Sequence, residues 1–171
     1  MSEENDPFIY VWSVFSLLLA LMLQMLPLPM AMGEWRPQFV LLVTFYWVFR
    51  GPRLHGVTFA WCCGLALDVM QGELLGRHAL SFALCTYLLQ LLQQRFPYMW
   101  VVHQLVLVAP LVLLHQLLAH SVTLLLHPDW RGELVLAPAI SSLLVWPLLV
   151  RFLSWLGDSA DDYEEEEISS P

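Results

Sequence analysis

Long apolar blocks broken by short polar connectors constrain this chain more than any other feature. A helix that spans a bilayer needs about 20 consecutive apolar residues. The chain offers candidate blocks at 8–26, 38–49, 55–71, 77–93, 98–126 and 134–156. Only 13% of its 171 residues are charged, whereas 58% are hydrophobic. A soluble domain needs a polar skin over its core, and too little polar sequence is present to make one. The fold class expected is all-α: a polytopic integral membrane protein of about six transmembrane helices in a compact bundle.

The organisation follows from the same pattern. Residues 1–7 form a short acidic tail, 8–157 the membrane domain, and 158–171 an acidic tail expected to be disordered. The start carries acids rather than a basic leader, and Pro27 and Pro29 follow the first block without a small-residue cleavage site, so that block is expected to remain as a helix. The second block is the shortest. Its dozen residues cover about 18 Å, so it either begins near Trp35 with Pro37 in its first turn or is partly re-entrant. Pro110 and Pro147 lie inside the fifth and sixth blocks, where kinks are expected.

The net charge of −8 is set by the two ends. Between residues 7 and 157, all seven basic residues are arginines, set against Glu34, Asp68, Glu73, Asp129 and Glu133. With six spans and the N-terminus inside, Arg50, Arg53, Arg95 and Arg151 fall on the inner side and Arg36, Arg77 and Arg131 on the outer. The positive-inside rule then places both termini in the cytoplasm by a narrow margin.

Asp68 is the first candidate for function. An ionisable group within an apolar segment costs roughly 2.5 to 3.5 kcal/mol at the helix centre and less near its end. Asp68 reads either as a polar anchor in a pocket or subunit contact, or as a cap on the turn before Gly72. Small residues recur at intervals of four through Gly56, Ala60 and Gly64, as close helix packing in lipid requires. Gly72 and Gly76 read better as a helix end and a tight turn.

Other chemistry has less behind it. The three cysteines, Cys62, Cys63 and Cys85, lie in apolar runs without metal-ligand spacing. His115 and His120 are about 140° apart on a helix and share no face, so no metal or cofactor is expected. Ser81 and Ser121 have no protease motif around them, no glycine-rich phosphate loop occurs, and no catalytic residue is assigned. Most of the eight tryptophans fall near block ends, as in an interfacial belt. Trp146-Pro147 is different, lying within the last block.

Taken in order, three features resemble the rod shape-determining MreD family of Gram-negative bacteria. They are Arg36-Pro37 followed by Phe39-Val40-Leu41-Leu42 and Tyr46-Trp47; Gly64, Asp68, Gly72, Leu75 and Gly76 with Leu80 beyond; and Trp146-Pro147. The similarity covers roughly residues 12–155 and leaves out the acidic tail. It implies a multi-pass bacterial inner-membrane protein without catalytic activity, acting in the elongation machinery for side-wall peptidoglycan. It also implies MreC as partner, indirect links to MreB and cell-wall synthases, and no nucleic acid, with self-association left open. The family is similar in fold to the substrate-binding membrane subunits of energy-coupling-factor transporters, a likeness that does not transfer function. The implied site is Asp68 with Gly64, Gly72 and Gly76, Arg36-Pro37 before the second helix, and Trp146-Pro147, shaping grooves for a partner's transmembrane helix. The competing reading is a membrane substrate-binding subunit of a small-molecule transporter, for which the polar residues are few.

Overall fold

The computed structural model describes residues 7–26, 35–51, 55–72, 74–95, 101–126 and 136–169, with side chains within 11–26, 35–51, 55–72, 74–95, 103–121 and 136–155. Among the described residues, six helices follow one another in the order of the apolar blocks: α1 (Pro7–Met25), α2 (Phe39–Arg50), α3 (Val57–Gln71), α4 (Arg77–Arg95), α5 (Val101–Leu126) and α6 (Leu136–Ser169). No strand occurs among the described residues. Residues 1–6, Arg53, Glu73 and Arg131 lie outside the described part.

The shortest helix sits at the centre. Val40 to Val48 are all buried, so α2 shows no outward face. A helix that is apolar all round is the one a bundle encloses. Around it pack α1, α3, α4 and α6, with α5 bridging α4 and α6. Pro37 stands outside α2, whose first helical residue is Phe39. At the other end the Gly51 N–H donates to the Trp47 carbonyl at 2.9 Å, and Pro52 follows.

The faces turned outward are apolar. Val11, Phe15, Leu18 and Met22 of α1 are exposed, as are Leu80, Leu84, Tyr87 and Leu91 of α4 and Leu144, Leu148, Phe152 and Trp155 of α6. Soluble monomers rarely expose contiguous apolar surface on this scale. The faces turned inward on α1 are small or polar: Ser13, Ser16, Ala20 and Gln24 are buried, letting α2 approach closely. Among the described residues, two helices are long and apolar enough to cross a membrane, over His103–Ser121 and Leu136–Trp155.

Both internal prolines are accommodated without ending a helix. Pro110 in α5 and Pro147 in α6 are exposed, and each removes one backbone N–H from its helix while the helix continues past it. The helical backbone of α6 continues to Ser169. Glutamate is a good helix former, and the run Glu164 to Glu167 extends a helix already nucleated upstream.

Candidate functional site

The α3–α4 hairpin gathers the densest set of polar contacts among the described residues. Its geometry starts with glycine. A Cβ on Gly64 would lie 2.6 Å from the Ala79 Cα and 2.7 Å from the His78 carbonyl carbon. Those are backbone atoms that cannot swing aside, so only glycine lets α3 and α4 approach this closely. Gly72 ends α3 in the left-handed region at φ 65°, and Gly76 carries φ 102° immediately before α4. The chain reverses between them and returns the α4 N-terminus to the side of α3.

One turn beyond Gly64, the Asp68 side chain is fully buried and meets that N-terminus. Its Oδ2 accepts the Gly76 N–H at 2.8 Å and the Ala79 N–H at 3.3 Å. Its Oδ1 accepts the His78 N–H at 3.0 Å and lies 2.8 Å from His78 Nδ1. The first N–H groups of a helix have no intrahelical partner, and in lipid no water replaces one. Asp68 therefore caps the helix that follows its own, and its charge sits favourably at the positive end of the α4 dipole. Both of its oxygens are turned to the α4 N-terminus.

Beyond Asp68 the polar contacts continue inward. The His78 ring lies 5.5 Å from the His115 ring of α5. Ser81 Oγ lies 2.9 Å from His115 Nδ1 and donates to the His78 carbonyl at 2.9 Å. A hydroxyl has one proton to give, so the network assigns the shared hydrogen to His115 Nδ1, which donates to Ser81 Oγ. The pair thus runs opposite to a serine activated by a histidine base, where the imidazole must accept. The His115 Nε2 is left buried without a hydrogen-bond partner. Among the described residues, no group of three or more His, Cys, Asp or Glu could hold a metal ion.

A second capped N-terminus is that of α2. The Phe39 N–H donates to Gln24 Oε1 of α1 at 3.1 Å, and the Gln38 N–H donates to Ser142 Oγ of α6 at 3.0 Å. Ser142 passes its own proton to the Pro138 carbonyl at 2.6 Å. Arg36 and Pro37 lead into this joint. Arg36 is half-buried with its Nε lacking a hydrogen-bond partner, and the Pro37 carbonyl accepts the Phe39 N–H at 3.0 Å. Further along, Trp47 Nε1 donates to Ser16 Oγ at 2.8 Å.

The residues singled out in the sequence thus divide among three places. Gly64, Asp68, Gly72 and Gly76 come together in the hairpin. Arg36-Pro37 stands at the start of α2. Trp146, fully buried, packs against Phe49 of α2 with ring centroids 5.9 Å apart, while Pro147 beside it faces outward. Sequence reading did not find His78, Ser81 and His115 as a cluster, nor Gln24 and Ser142 as caps. Gln24 carried a signal, as the one strongly polar residue inside the first block.

The profile of the family described as rod shape-determining protein MreD matches residues 6–156. The chain belongs to the MreD family. The rod shape-determining protein MreD of Haemophilus influenzae is 30% identical over 131 residues, covering 75% of this chain and 80% of that protein. No solved structure matches the chain. Family membership gives a membrane protein with a role in determining rod shape.

Proposed function

We propose that this chain is a multi-pass inner-membrane scaffold of the cell-elongation machinery that docks a transmembrane helix of MreC and so helps organise side-wall peptidoglycan synthesis. All six helices cross the bilayer in this reading, in a bundle similar to energy-coupling-factor substrate-binding subunits, with both termini in the cytoplasm. The observation that carries it is the hairpin of a family-matched chain: Asp68, the one carboxylate buried among the described residues, is spent on the backbone of α4. A group held by four hydrogen bonds is a fixed joint, not a reactive centre or an open substrate ligand. Gly64 and Asp68 are both buried, so they support a partner contact from behind. The residues presented outward beside them are Val69, Met70, Leu75 and Leu80, and helices in lipid associate through such shaped apolar surfaces.

The test is co-purification in mild detergent with the host's MreC. Wild type is expected to retain it. Leu80→Trp, which alters only the outward face, is expected to lower retention at least tenfold while leaving thermal unfolding unchanged. Asp68→Ala should weaken both. Wild type that captures no MreC but binds a small molecule would sink the scaffold and leave the transporter-like reading in its place.

A further inference from the structure

The outward stripe of α6 consists of Leu136, Ile140, Leu144, Leu148, Phe152 and Trp155, all exposed. One residue interrupts it. Arg151 is the only charged side chain between Leu136 and Trp155, and it is exposed on this face. An open cavity of about 460 Å³ lies beside it, lined by Leu148, Arg151, Phe152, Ser154 and Trp155. No carboxylate among the described residues forms an ion pair with the guanidinium. The Ser154 hydroxyl is turned onto the Arg151 carbonyl at 3.0 Å, and the guanidinium is the charged donor group of this cavity.

We propose that this cavity binds the phosphate group of an anionic phospholipid. An arginine on a lipid-facing surface needs a counter-charge, and one turn from the end of a span its long side chain reaches headgroup level. The planar guanidinium fork matches a phosphate bidentately, which an ammonium does not. Leu148 and Phe152 offer an apolar wall to the acyl chains, and Trp155 sits where interfacial indoles settle. Charge selects an anionic lipid over a zwitterionic one, because a basic residue near an anionic surface is attracted to it. The site rests on α6 crossing the bilayer, and it is independent of which partner the scaffold docks.

The test uses the full chain in vesicles of phosphatidylcholine with a minority of phosphatidylglycerol, brominated on one lipid or the other. Quenching of Trp155 is isolated by difference against Trp155→Phe. Brominated phosphatidylglycerol is expected to quench more effectively at equal fraction, with a preference of about fivefold from one basic residue. Arg151→Gln should abolish the preference, Arg151→Lys should keep part of it, and Arg95→Gln, at the end of α4, should leave it intact. Equal quenching by the two lipids in wild type overturns the site. Loss of the preference on adding inorganic phosphate assigns the cavity to a soluble anion and also overturns it. A preference that emerges only after deletion of residues 158–171 assigns Arg151 to the chain's own acidic tail. Quenching by neither lipid overturns the site together with the placement of α6 in the bilayer, while MreC capture remains a separate measurement.

Discussion

A single carboxylate decides how α3 and α4 meet. Asp68 accepts three backbone N–H groups and faces one imidazole nitrogen, so removing it strands several donors at once. Each buried donor left without a partner costs about 1–3 kcal/mol, and a lost cap alone costs about 1 kcal/mol. Asp68→Ala is therefore expected to destabilise by about 3 kcal/mol, read as a lower unfolding midpoint in detergent, and Asp68→Asn by less because one acceptor oxygen remains. An unchanged midpoint for Asp68→Ala would mean that the α4 N-terminus finds other partners. Gly64→Ala acts by a different route. Its new methyl meets backbone at 2.6 Å, forcing the helices apart at a cost of about 1–3 kcal/mol. Cys62→Ala, two residues away on the exposed side, is the silent control, and equal effects from the two changes would refute the close-approach role of Gly64. Asp68 stood out in the sequence because a charge in an apolar block is costly wherever it points. Its task was not legible, because the amides it caps lie eight to eleven residues on and reach it only through the reversal at Gly72 and Gly76. The same holds for Ser81 and His115, 34 positions apart, which no local spacing connects.

At the scale of elements, α2 explains why caps are borrowed from neighbours. Its 12 residues cover about 18 Å, well short of the roughly 30 Å of hydrocarbon. In the proposed six-span reading, at least one end of α2 lies at a depth where no water completes its hydrogen bonds. Gln24 and Ser142 supply what water cannot, tying α1 and α6 to the same helix start. Gln24→Ala and Ser142→Ala are each expected to lower stability by about 1 kcal/mol. They cap adjacent amides, so the double variant should depart from additivity. Strict additivity in thermal unfolding would show that the two caps act independently and that α2 is not held by a shared joint. The sequence showed that the second block is short and lies between Pro37 and Gly51-Pro52. It did not show that this block is enclosed. An all-apolar dodecamer fits a lipid-exposed re-entrant piece as well as a buried core helix, and only the neighbours packed around Val40 to Val48 separate the two.

For the whole molecule, the question is whether so short a helix still carries the chain from one side to the other. The contacts between α1 and α2 provide a ruler. Phe39 is level with Gln24, and Trp47 is level with Ser16. Eight residues along α2 thus run antiparallel to eight residues along α1, about 12 Å at 1.5 Å each. Extended to Arg50, the register brings the end of α2 level with the early turns of α1. A hairpin that turned back halfway would instead have paired Trp47 with the later turns of α1. The six blocks and their order were legible in the sequence because apolar length sets them directly, whereas the run of α2 alongside α1 required this register. In the proposed six-span reading, this register fits an even number of crossings with the two termini on one side, and the arginine distribution favours the cytoplasm for that side. A fluorescent protein fused after residue 171 should then be bright in the cytoplasm, and alkaline phosphatase inserted within 27–34 should be active outside. Phosphatase active at both sites would make the crossing number odd, demote α2 to a re-entrant helix and move the Asp68 hairpin to the other face of the membrane.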